Sequence, residues 1–276
     1  MTATSAAQPQ ANVQKSAEAG NFDADKHVAS TSAVGRAVQS FRAFAKEDVD
    51  RRSVDCFLRC LEMHSEVLSG LGTIMNVVKN DLDKNVAKVR KAATTHAGDL
   101  LNDANSSSSS TGLAQLLDIE AEQSKPKLPK DDSATVGALW AARSMDLALC
   151  LIAKVVEPAL GEHDQTLVQE GSTSTSSASK SSQISLYYSE TKAQSLTRFS
   201  KLSIGALGRE AYGKSALRQH HNFALKQIVK AAMSGLPAAE EFIHRIHYDT
   251  LGELIDYIRE GRFFLASLPF TIYIAS

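Results

Sequence analysis

The sequence predicts an all-α protein, and three observations carry that reading. Apolar residues recur at helical spacing through most of the chain, glycine and proline fall just past the periodic stretches, and period-two runs of β-branched residues are few. The spacing predicts helices over 32–47, 53–70, 73–99, 112–123, 134–157, 186–206, 210–234, 237–246 and 249–262, with breaks at Gly70, Gly72, Pro158 and Gly235-Leu-Pro237.

Taken in order, residues 1–28 are polar, small and rich in Gln, Ala and Ser, without a hydrophobic run, so they read as a disordered tail and not as a signal peptide. Residues 29–276 read as one domain with flexible insertions. Within the helix over 53–70, Cys56 and Cys60 sit one turn apart and read as small apolar core residues. Residues 102–112 and 170–183 are Ser-rich, low-complexity surface loops between helices, read as length-tolerant spacers. Over 134–157, Val136, Leu139, Trp140, Leu147 and Leu151 recur at helical spacing, and Pro158 stops the helix at little cost. Over 210–234, Leu217, His221, Leu225, Ile228 and Ala232 make an apolar stripe, with His220 turned about 100° away. No run reaches the ~18 apolar residues of a transmembrane helix; the stretch 263–275 is short and contains Pro269.

Charge and composition exclude several classes. The net charge is −1 with a pI near 6.7, so no overall basic field points to nucleic acid, and Lys84, Lys88, Arg90 and Lys91 spread around one helix. Three cysteines, Cys56, Cys60 and Cys150, without a secretory signal fit a reduced cytosolic protein. No nucleophile elbow, phosphate loop or dinucleotide fingerprint occurs. Glu241, His244 and His247 have the Glu-x2-His spacing of helical di-metal carboxylate enzymes, but those need two copies and this chain holds one. The expectation is a protein that is not an enzyme and holds no metal and no cofactor.

The residues that point to chemistry are Asp81, Asn85 and Lys88. Spacings of four and three put them on one helix face. An anion, an amide and an ammonium in line offer acceptors and donors together, which suits a head group rich in hydroxyls and amides better than a phosphate or a metal. The same spacing also makes an ordinary solvated helix face. A carboxylate only accepts, so Asp81 must face an N–H or O–H. Trp140, the single tryptophan, lies three residues from Arg143; the indole is either a core aromatic or a platform, and the guanidinium either its neighbour or the partner of a surface carboxylate. His221 interrupts an apolar stripe and needs a partner there, either a backbone carbonyl or the amide carbonyl of a buried ligand.

Together the Asp-x3-Asn-x2-Lys helix, the Leu-Trp-x2-Arg helix and the His-x-aromatic helix, in that chain order from about residue 30 onward, resemble the glycolipid transfer protein family. The resemblance implies a two-layer α-helical sandwich enclosing a tunnel for lipid chains. It implies that Asp81 binds a ceramide amide N–H and a sugar hydroxyl, that Asn85 and Lys88 bind sugar hydroxyls, that His221 donates to the ceramide carbonyl, and that the first sugar stacks on Trp140. The branch that carries ceramide-1-phosphate has cations at the Asn-like and Trp-like positions and an arginine one turn before the latter. Here those places hold Asn85, Trp140 and Val136, which favours a glycosphingolipid. Phe223 takes the place of the usual tryptophan two residues after the histidine and is the expected membrane contact. The function implied is movement of glycosylceramides between membranes by a cytosolic monomer that touches membranes transiently. The alternatives are a ceramide-1-phosphate carrier, a sphingolipid sensor or adaptor that does not release its lipid, and, remotely, a di-metal enzyme.

Overall fold

The computed structural model describes residues 31–48, 52–72, 75–101, 112–125, 130–160, 192, 194, 199, 202–215, 217–221 and 223–269. The N-terminal tail, the two Ser-rich loops apart from Gly112, and most of the helix expected over 186–206 lie outside these residues. The described residues form α1 (Ala33–Lys46), α2 (Val54–Gly70), α3 (Met75–Leu101), α4 (Leu113–Ser124), α5 (Ala134–Val156), α6 (Ile204–Lys214), α7 (Leu217–His220), α8 (Phe223–Ser234), α9 (Ala239–Arg245) and α10 (Leu251–Ala266), with no β-strand among them.

Local chemistry sets the helix starts within a residue or two of expectation. Ser32, Ser53, Ser133 and Thr250 are N-caps whose hydroxyls accept from the backbone N–H three residues on, at Gly35, Cys56, Val136 and Glu253. Glu120 of α4 adds a second cap to α5, its carboxylate accepting from the N–H groups of Ala134 (2.7 Å) and Thr135 (2.8 Å). Pro158 lies in a single 3-10 turn, Glu157–Ala159, directly after α5.

Two layers of helices enclose one core. In the first, α1 packs between α2 and α10; in the second, α3 lies against α5, α5 against α6, and α6 against α8. Contacts of α2 with α3 and of α10 with α5 join the layers, and α4 covers the end of α3 and α5. The first layer is keyed by Phe264, whose ring meets Phe41 at 5.4 Å, Phe44 edge-on at 4.8 Å and Phe57 at 5.9 Å. Arg42 ties α1 to α10 through Asp256 (2.8 Å), a carboxylate that Arg259 also holds at 2.6 Å. Cys60 is buried, and Cys56 packs half-buried against the same core.

Two glycines set the interlayer and intralayer spacing. A Cβ on Gly261 of α10 would lie 2.9 Å from Leu149 Cδ1 of α5, and one on Gly137 of α5 would lie 2.8 Å from the Asn85 carbonyl oxygen of α3. The helix α5 is long and apolar enough to cross a membrane by length and composition, contrary to the expectation that no segment is; most of that stretch is buried inside the protein, as befits the central helix of a two-layer core.

The helix expected over 210–234 is three pieces. The Ser215 backbone is extended, its hydroxyl donates to the Tyr212 carbonyl at 3.0 Å, and α6 stops there; a second bend falls at His221. A serine side chain that binds nearby backbone competes with helix continuation, a local effect that apolar periodicity does not report. Of the expected stripe, Leu217 is buried, whereas the side chains of Leu225 and Ile228 lie outside the described residues. A small cluster of Leu147, Tyr212, Leu217 and Met233 holds this bent segment on α5, with Trp140 packed against it.

The glycine at 137 makes a test. Gly137→Val should lower stability by about 2–3 kcal/mol, because its side chain meets α3 backbone that cannot yield. Gly213→Ala, where a Cβ meets nothing within 4 Å, should raise stability by about 0.5–1 kcal/mol. Urea unfolding monitored by circular dichroism measures both.

Candidate functional site

The site forms where α3, α5 and the bent α6–α8 segment meet. Because α3 and α5 run antiparallel in close contact, Gly137 faces Asn85 and Lys88 while Ser144, two turns on, reaches Asp81. The Asp81 Oδ2 atom accepts from Ser144 Oγ at 3.2 Å and from Asn85 Nδ2 at 3.3 Å. The Asn85 amide also donates to the Asp81 backbone carbonyl at 2.9 Å, and the residue is buried. Asn85 therefore braces Asp81 in this structure, while the exposed carboxylate retains acceptor capacity. Lys88 lies 3.5 Å from the exposed Asp131, an ion pair weak enough to give way to a ligand.

On α5, Trp140 is half-buried and Arg143 is buried, with its guanidinium carbon 5.4 Å from the indole centroid. Burial pulls the guanidinium pKa down, yet arginine stays cationic at neutral pH. Both histidines meet the same indole: His221 lies nearly parallel to it at 6.1 Å and His220 edge-on at 6.2 Å. The expectation that His220 turns away is corrected, because the bend at His221 replaces the helical angle between neighbours.

The Tyr212 hydroxyl lies 2.9 Å from His221 Nδ1. With the phenol donating, the ring proton sits on Nε2, which is then the donor offered to a ligand. Burial lowers the His221 pKa, and the Asp81 carboxylate works in the opposite direction. Burial, joined by the nearby Arg143, also lowers the pKa of His220. Phe223, two residues after His221, is 77% exposed. Val77, one turn before Asp81, is 58% exposed.

All seven residues singled out in the sequence thus stand on these three meeting segments: Asp81, Asn85 and Lys88 on α3, Trp140 and Arg143 on α5, His221 and Phe223 at the bend. Ser144, Tyr212 and Asp131 were missed. Ser144 follows Trp140 by one helical turn, a spacing that carried a signal; Tyr212 reaches His221 only across the unforeseen break. The rival set does not assemble: Glu241 pairs with Arg245, and among the described residues no group of three His, Cys, Asp or Glu side chains is placed to hold a metal ion. The cluster thus offers an acceptor carboxylate, an imidazole, an aromatic ring and two cations.

Fold and site together define an all-α, two-layer protein with a polar and aromatic cluster where α3, α5 and the bent segment meet. The family model for glycolipid transfer protein (GLTP) matches residues 52–182 and 185–248, and the chain belongs to that family. The fold is similar to that of mouse ceramide-1-phosphate transfer protein in its apo form, at 13% identity over 88% of this chain and 92% of the other, with a TM-score of 0.55. It is also similar to FAPP2, described as selecting simple glycosphingolipids using the GLTP fold, at 19% identity over 86% and 89%, with a TM-score of 0.52. Human ceramide-1-phosphate transfer protein in complex with 12:0 ceramide-1-phosphate matches at 13% identity over 87% and 89%, with a TM-score of 0.51. No curated protein matches the sequence.

The opposing influences on His221 give a measurable consequence. By NMR its imidazole should titrate below the ordinary value near 6.5, and Asp81→Asn should lower its pKa further, because the anion that favours the imidazolium is removed. Tyr212→Phe should leave that ordering intact while freeing the ring.

Proposed function

We propose that this protein moves glycosphingolipids with a neutral sugar head, glycosylceramides, between membranes. The observation that carries the reading is Trp140, half-buried, close to Arg143 and His221 and on the helix beside Asp81. Its exposed part offers an apolar plate to a sugar ring, while Asp81 accepts from hydroxyl or amide N–H groups and Lys88 donates. His221 donates to the ceramide carbonyl in this scheme. A ceramide-1-phosphate carrier is the second reading, supported by the cations Lys88 on α3 and Arg143 on α5 and by His220 near Arg143. Against it stand Val136 and Trp140, at positions where, by the family resemblance, the ceramide-1-phosphate branch carries cations.

Lipid chains would enter between the layers, where apolar side chains of both now pack together. Burying about 16 methylenes gains about 12 kcal/mol relative to water. The bilayer offers nearly the same, so the head-group bonds decide which lipid is extracted. Phe223 and Val77 flank the site and would approach the membrane transiently, with the protein otherwise a cytosolic monomer. The role is that of a carrier and not of an enzyme.

Transfer between vesicles, comparing galactosylceramide or glucosylceramide with ceramide-1-phosphate and phosphatidylcholine, tests this. Selective movement of the glycosylceramide is expected. Asp81→Val and Trp140→Ala should each reduce it at least about tenfold, the scale of one lost charge-assisted bond or aromatic contact, with helical content unchanged by circular dichroism. Movement of the phosphate lipid alone would reverse the head-group assignment. Membrane recruitment without release would favour a sensor, and near wild-type transfer in both variants would overturn the site.

A further inference from the structure

Among the buried polar side chains of the described residues, His64 belongs neither to the candidate site nor to a cap or ion pair. His64 of α2 has no solvent exposure. Its Nδ1 lies 2.5 Å from the hydroxyl of Tyr257 on α10, itself fully buried, and the two rings stack at 5.9 Å with an interplanar angle of 10°. Its Nε2 is buried and has no hydrogen-bond partner. Burial pulls the imidazole pKa down to about 3, so the ring is neutral at physiological pH, with one donor and one acceptor nitrogen. If Tyr257 donates to Nδ1, Nε2–H is a donor without an acceptor; if Nδ1–H donates to the phenol, Nε2 is an acceptor without a donor. An imidazole left half-satisfied in a dry core is costly, and buried polar groups of native proteins nearly always have a partner.

The place of His64 says what that partner could be. The next residue, Ser65, donates to Asp83 Oδ1 of α3 at 2.6 Å, and Asp83 stands two residues beyond Asp81. This stretch of α2 therefore lies against α3, the helix that carries Asp81. On its own helix Leu61 and Leu68, and on α3 Leu82 and Val86, are buried apolar residues of the common core. A lipid whose amide is held at Asp81 and His221 would send its chains into this interior. A hydrocarbon chain offers His64 nothing. A hydroxyl on that chain both donates and accepts, so it fits either tautomer, whereas a carbonyl fits only one.

We infer that His64, held by Tyr257, reads a hydroxyl on the lipid chain, so that the cargo is a sphingolipid with a hydroxylated acyl or sphingoid chain. This rests on the carrier reading above. The side chain is a positioning and specificity residue, and it acts on the chain rather than on the head.

The test is competition between galactosylceramides of equal chain length in phosphatidylcholine vesicles, one unhydroxylated, one with an alpha-hydroxyacyl chain and one built on a hydroxylated sphingoid base, with acceptor vesicles analysed by mass spectrometry. The wild type should move one hydroxylated form about five- to tenfold faster than the plain lipid, the scale of one hydrogen bond. His64→Leu should erase that preference, so that the hydroxylated and plain lipids move at equal rates. Because leucine leaves the Tyr257 hydroxyl alone in the core, the double variant His64→Leu/Tyr257→Phe, which removes both polar partners, provides the second readout and should behave alike. Equal transfer of all three lipids by the wild type, or a preference that survives both variants, would overturn the inference while leaving the carrier reading in place. Movement of no galactosylceramide at all would instead sink the carrier reading and this inference with it.

Discussion

The close approach of α3 and α5 is the constraint on which the site depends. Gly137 lets the α5 backbone come against the Asn85 carbonyl, where a Cβ would sit at 2.8 Å. Only at that separation does the Ser144 hydroxyl reach the Asp81 carboxylate, and only then does the Trp140 side of α5 border the polar face of α3. The N-terminus of α5 is pinned at the same time by Ser133 and by Glu120. A helix so fixed at one end and so closely seated along its length is a rigid base for the side chains it presents to the site.

The bent segment α6–α8 is the adaptable counterpart. It rests on α5 through a small apolar cluster and presents two adjacent histidines to one indole, an arrangement a straight helix would forbid. Its polar members are balanced against one another. Burial favours neutral histidine, Asp81 opposes this for His221, and Tyr212 fixes the ring. The neutral form keeps one donor available, and burial, joined by the charge of Arg143, lowers the pKa of His220 as well. Each of these groups sits partly out of water, where a hydrogen bond to the correct ligand counts for more and an absent one costs more.

Most of the helical order was legible in the residues because the signals were local. Ser32, Ser53, Ser133 and Thr250 cap helices within a residue or two of where periodicity placed them, and Pro158 ended α5 as expected. The spacing of Asp81, Asn85 and Lys88, and of Trp140 and Arg143, was equally local. What escaped was non-local or conformational. Apolar periodicity continued through Ser215 although its hydroxyl turned back on the backbone, so the break at residue 215 and the reach of Tyr212 to His221 were invisible. The burial of Asn85 depends on how near α5 comes, which no pattern within α3 encodes. His64 looked like any polar residue of an amphipathic helix, and only the packing of α10 showed it sealed in the core with Tyr257.

The chain has one tryptophan, and it stands in the site, under a guanidinium and beside two imidazoles. Indole emission depends on polarity and on nearby quenching groups, and protonated imidazole is one of these. The protein therefore carries a built-in optical reporter whose intensity and colour belong to the candidate site alone. Occupancy, proton uptake by its histidines and movement of the bent segment can all be followed in unlabelled protein, in real time and without a fluorescent lipid that would itself perturb the recognition being measured.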